Sequence, residues 1–137
     1  MNAQQLIELT TNTWNERDLA GYRAAYHDDC EITAPGFVGK GQQGVAELWS
    51  AYMVAFPDNH ITVLNAIVGD SGLGAEESVF RGTHTGILVG ADGSGIPPTG
   101  KQVTLGLAGI HTVRGDRLAS THFYYDILEL LTQLGVS

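Results

Sequence analysis

The chain has 137 residues, 43% of them apolar and 16% charged, which is enough for one packed core and argues against wholesale disorder. Fifteen acidic side chains against seven basic ones leave a net charge of -8, a surface that repels nucleic acid and anionic membranes. Cys30 is the only cysteine, so neither an intrachain disulfide nor a thiolate metal cluster is expected. The opening MNAQQLIEL lacks a basic leader followed by a long apolar core, and no apolar run is long enough to cross a bilayer. A single soluble, cytoplasmic domain over residues 1–137 is the expectation.

The first third reads as helical. Leu6, Leu9 and Trp14, broadened by Ile7, form one stripe, and Leu19, Tyr22 and Tyr26 repeat at helical spacing after a break at Asn15–Asp18. Asp18 is placed to cap that second helix. Cys30–Ile32 reads as a short strand before Ala34-Pro35-Gly36. Beyond the glycine-rich GKGQQG, the residues Val45, Leu48, Trp49, Tyr52 and Ala55 form a third helical stripe, which Phe56-Pro57-Asp58 ends.

From His60 the period changes to that of strands. Ile61–Val68 reads as a strand buried on both faces over part of its length, Gly69–Gly74 as a turn, and Glu77–Val89 as one long strand. Gly90–Gly100 reads as a loop. Gln102–Val113 and Arg117–Tyr125, joined by Arg114-Gly115-Asp116, give the clearest hairpin; the RGD triplet is a turn there, not an adhesion signal. Ile127–Leu134 predicts a short helix with Gly135 as its C-cap. Helices followed by long strands make the class α+β, with a curved, mostly antiparallel sheet wrapped around three N-terminal helices and an open-ended cavity.

Chemistry concentrates in HFYYD. In an uninterrupted strand His122, Tyr124 and Asp126 face one way, bringing an imidazole, a phenol and a carboxylate together. Asp126 then serves as the proton-transfer group, with His122 as its partner and Tyr124 orienting a substrate. The same residues also fit a structural reading in which Asp126 caps the last helix. His84 and His111, near strand ends, are candidate cavity groups, with Thr112 beside His111 on the opposite parity. Trp14, Trp49 and Tyr52 pack helices and are candidate lining for an apolar ligand. The five histidines lack a compact ligand pattern such as HExxH, and no nucleotide-cradling glycine motif is present, so neither metal nor cofactor is expected.

The segments TWNERD, AYHDDCEITAPG, WSAYMVAFPD, FRGTHTG, IPPTGKQVTL and THFYYDILELLTQLG run in an order that resembles the SnoaL-like polyketide cyclase family of the NTF2-like superfamily. The resemblance implies an α+β cone with a deep pocket and a homodimer formed through the opposite sheet face. It also implies cofactor-free aldol closure of a hydrophobic carbonyl compound, with Asp126 matching the family's acid/base aspartate. A family histidine falls at Thr112, a family asparagine at Ala34 and a first-helix tyrosine at Trp14. The expected activity is therefore cyclisation or isomerisation by proton transfer. A hydrolase, including one that opens epoxides, and a non-catalytic ligand-binding module are the alternatives.

Overall fold

The computed structural model describes residues 1–90 and 92–136. Its elements are α1 (Ala3–Asn15), α2 (Leu19–Ala24), β1 (Tyr26–Ala34), β2 (Phe37–Lys40), α3 (Gly41–Ala55), β3 (His60–Val68), β4 (Leu73–Thr83), β5 (Leu88–Val89), β6 (Gly95–Ile96), β7 (Gln102–Arg114), β8 (Arg117–Tyr124) and α4 (Ile127–Leu134). Six strands form one sheet in the order β2-β1-β8-β7-β4-β3; only the β1–β8 pairing is parallel. The helices cover one face, and the core lies between them and the sheet's concave side.

The helical stripes behave as their spacing predicts. Leu6, Ile7 and Trp14 of α1 and Val45, Leu48, Trp49 and Ala55 of α3 are buried. Asn2 and Gln5 close a capping box on α1, and the Asp18 carboxylate accepts from the Gly21 amide at 2.9 Å. Trp14 sits at a hub, 5.5 Å from the Tyr22 ring and 5.1 Å from Trp49, both edge-on; its Nε1 donates to Asn59 Oδ1 at 2.6 Å. Gly115 takes φ 66° in the β7–β8 turn, and Gly135 takes φ 77° at the end of α4, as the left-handed positions there require.

Several elements differ from the sequence expectation. Tyr26 begins β1 instead of ending α2, and β1 runs from there to Ala34, well beyond Cys30–Ile32. The expected continuous strand Glu77–Val89 starts earlier, at Leu73, and stops at Thr83. There His84 N donates to Lys101 O and Gly100 N donates to His84 O, so the chain leaves the sheet before the separate β5–β6 hairpin. That hairpin occupies part of the expected Gly90–Gly100 loop, of which Ala91 lies outside the described residues. Finally β3 is an edge strand, with no residue fully buried, because only β4 and α1 cover it.

A bulge in β8 decides which side chains enter the core. Val113 pairs with Leu118 and Thr112 with Ser120, so Ala119 has no partner on β7. Leu118 points inward, and beyond the extra residue the inward set becomes Thr121 and Phe123 while His122 and Tyr124 turn outward.

Candidate functional site

The concave face of the sheet, α1, α2 and α3 enclose a chamber lined by Trp14, Tyr22, Leu48, Tyr52, Glu76, Phe80, Leu105, Phe123 and Tyr125, with Thr10 and Thr11 on α1. Centres of water molecules can occupy about 70 Å³ of it, room for roughly five waters or about 150 Å³ of liquid. That is the order of a one-ring aromatic compound such as benzene. A second, open groove between β2, α3 and β5 is lined by Phe37, Val38, Val54 and Ile87. Its carboxylate, Glu47, has no imidazole beside it among the lining residues.

Glu76 is the one carboxylate among the residues lining the chamber. It shares β4's inward parity with Gly74, Ser78 and Phe80. Its Oε1 lies 2.8 Å from His111 Nε2, and its Oε2 accepts from the Ser78 hydroxyl at 2.8 Å. The Thr121 hydroxyl lies 2.8 Å from His111 Nδ1. Opposite a carboxylate His111 Nε2 is the donor, and the Thr121 hydroxyl, able to donate or accept, holds the ring at Nδ1. His111 and Thr121 are 1% and 0% exposed, so this chain of contacts is held away from water.

The contact depends on a missing side chain. Gly109 faces Glu76 in the β4–β7 register. A Cβ there would lie 2.8 Å from Glu76 Oε1 and 2.9 Å from His111 Nε2, closer than a methyl group can pack. The bare backbone lets the carboxylate lie across β7 onto the imidazole two residues along.

Tyr26 donates to the Tyr22 hydroxyl at 3.3 Å, next to this pair. Burial raises the Tyr26 phenol to about 12, and burial followed by the Tyr26 hydroxyl raises Tyr22 well above its ordinary value. Both remain protonated at neutral pH. Tyr22 accepts from Tyr26 and keeps its own proton to offer the chamber.

The residues expected from HFYYD lie elsewhere. His122 and Tyr124 share a face of β8, as their spacing predicts, but the Ala119 bulge makes it the outer one, and Asp126 lies past the strand's end at Tyr124. His122 Nε2 lies 3.0 Å from Glu31 Oε1 across the outer sheet face, and Tyr124 is 58% exposed. Asp126 is exposed and N-caps α4, accepting from the amides of Leu128 at 3.0 Å and Glu129 at 3.1 Å. Asp126→Ala is therefore expected to lower stability by about 1 kcal/mol, read from the denaturant midpoint at unchanged slope. Thr112 also points outward and is exposed.

His84 is buried, but behind the chamber wall. Its ring lies 5.3 Å from that of Phe56, and its Nδ1 accepts from the Thr99 amide at 3.2 Å. Burial pushes its pKa down. Its Nε2 has no hydrogen-bond partner among the described residues. Trp14 and Tyr52 do line the chamber, Trp49 stands behind Trp14, and His111 reaches it through Glu76.

Glu76 and Tyr125 are the functional candidates that reading the sequence missed. The available signal for Glu76 was its parity with Ser78 and Phe80, hidden when the strand is begun at Glu77. Among the described residues no three His, Cys, Asp or Glu side chains converge as a metal site, and no helix is long and apolar enough to cross a membrane.

The family description SnoaL-like polyketide cyclase matches residues 4–134. IdmH from Streptomyces antibioticus, a suggested polyketide cyclase, is 26% identical with TM-score 0.80, over 97% of this chain and 98% of its own. TsrD from Streptomyces laurentii is 24% identical with TM-score 0.83, over 98% and 95% of the two chains. A Catenulispora acidiphila protein with a ketosteroid isomerase-like fold is 14% identical with TM-score 0.80, over 100% and 96%. The last two carry the fold alone. No curated protein matches the chain.

Proposed function

The chain belongs to the SnoaL-like polyketide cyclase family with an NTF2-like, ketosteroid isomerase-like fold, and from that premise we propose that it is a cofactor-independent proton-transfer enzyme acting on a hydrophobic carbonyl compound. The observation that carries this reading is a lone carboxylate, Glu76, held by His111 and Ser78 in a chamber otherwise lined almost wholly by apolar and aromatic groups.

Glu76 removes a proton from the carbon beside the substrate carbonyl, and the electron pair moves to the oxygen as an enolate. A carboxylate has about four acceptor sites, of which His111 and Ser78 occupy two, leaving lone pairs for the incoming proton. His111, its ring held by Thr121 at Nδ1, fixes the carboxylate's position. Ser78 is a rotor: it donates to the ionised group and accepts from the protonated one. The enolate then attacks an internal carbonyl, or takes the proton back at another carbon. The first outcome is aldol closure and the second isomerisation. In both, Glu76 returns the proton it received, so the carboxylate is regenerated.

The test is a panel of flat, apolar ketones incubated with the protein in deuterated water. The expected result is protein-dependent deuterium at the carbon next to the carbonyl without solvent oxygen in the product. No exchange with any member overturns the reading, and incorporated solvent oxygen replaces it with hydrolysis. Homodimerisation belongs to the same proposal. The outer sheet face offers Ile67, Ile110 and Tyr124 to a second copy, and native mass measurement reads that state directly.

A further inference from the structure

The chamber has a second polar pole that the acid/base pair does not use. Tyr52, from α3, and Tyr125, from the segment joining β8 to α4, meet hydroxyl to hydroxyl at the chamber wall. Their rings cross at 89°, and Tyr52 also packs edge-on against Phe80 at 5.8 Å. Burial raises both phenols above their ordinary value, so each keeps its proton at neutral pH.

Proton counting decides what this pair is able to do. Two hydroxyls hold two protons, and the bond between them uses one. The accepting hydroxyl keeps a proton for which the described residues supply no acceptor. Two other polar groups of the wall are engaged elsewhere, Thr10 donating to the Leu6 and Ile7 carbonyls of its own helix and Trp14 to Asn59; Thr11 also stands on the wall, on α1. Tyr22 belongs to the Glu76 end.

Tyr52 packs against Phe80, four residues along β4 from Glu76, and Tyr125 follows Tyr124, whose strand partner Ala108 pairs in turn with Glu77. We infer that the Tyr52–Tyr125 pair is the oxygen-receiving pole of the chamber, donating to the carbonyl or hydroxyl oxygen of a flat, apolar ligand whose far end lies toward Glu76. That the far end is the reacting one rests on the acid/base reading above; the oxygen pole itself does not.

Either hydroxyl is able to serve alone, so the deciding variant is Tyr52→Phe with Tyr125→Phe. It removes both partners while keeping both rings, leaving no orphaned group behind. The probes are acetophenone and ethylbenzene, alike in shape and differing in the oxygen. The parent is expected to bind the ketone about fivefold more tightly, the worth of one neutral hydrogen bond, and to shift the bound C=O stretch to lower frequency. The double variant loses the preference and the frequency shift and keeps its affinity for the hydrocarbon. Glu76→Gln keeps both signatures. If it also exchanges deuterium like the parent, the acid/base reading fails and the oxygen pole stands. Equal affinities in the parent, including no binding of either compound, overturn the inference. So does a preference that survives the double variant, or one abolished by Tyr22→Phe instead.

Discussion

Glu76→Gln is expected to slow deuterium exchange into ketones by about 10²–10⁴-fold, the usual contribution of a positioned acid/base group. The amide keeps the size of the side chain and an oxygen that accepts from Ser78 or His111, but it is not basic enough to take a proton from carbon. Asp126→Asn is the matched comparison. Its carboxylate accepts two amide hydrogen bonds at the start of α4 and faces water, so exchange is expected to proceed at the parent rate. The opposite pattern, full activity in Glu76→Gln and loss in a folded Asp126→Asn, would remove Glu76 from the mechanism and return the role to the residue that the family resemblance indicates.

His111→Ala tests the support beneath that carboxylate and is expected to cost about 3–5 kcal/mol of folding stability. Removing one member of a buried, hydrogen-bonded pair leaves the other desolvated and unpaired, a larger penalty than the net value of the bond itself. Thr121 loses a partner at the same time. Combining Glu76→Met with His111→Leu removes the charge together with its partner, so the double variant is expected to be more stable than His111→Ala alone. Denaturant unfolding of the four proteins in the cycle, Glu76→Met and His111→Leu singly included, measures the coupling. Additive effects, or a loss below about 1 kcal/mol for His111→Ala, would mean that the carboxylate is hydrated and the pair incidental.

Much of the fold was legible because local rules and tertiary demands agree. The stripes of α1 and α3 have the helical period, and the Arg114–Arg117 turn carries the glycine its left-handed backbone needs. Gly135 ends α4 for the same reason. Tyr26 was misread because a helical spacing continued by chance one residue into β1. The continuous strand expected through His84 failed where that residue's backbone turns to bond Gly100 and Lys101, partners far along the chain.

The site was legible in parity and not in face. Alternation grouped His122 with Tyr124 on one side of β8, while Asp126, expected with them, lies past the strand's end as the N-cap of α4. Nothing in the alternation says that Ala119 is unpaired, and that irregularity depends on the register of β7. For β7 the parity of Val103, Leu105 and His111 does mark the inward set. Glu76 escaped notice because a charged residue at a strand's edge looks like solvated surface until Gly109 opposite supplies its space.

Ala119 thus acts as a phase selector for β8. Taking that residue into the ladder against Thr112, with the turn kept, would slide the distal half of the strand by one residue. His122 and Tyr124 would then enter the interior while Thr121 and Phe123 were exported. The strand is written with two alternative linings, one pairing imidazole with phenol and the other hydroxyl with phenyl. Loss of Ala119 itself would leave Leu118 against Val113 and Thr121 against His111 and so keep the present lining, whereas absorbing that residue into the ladder would exchange the two without one substitution.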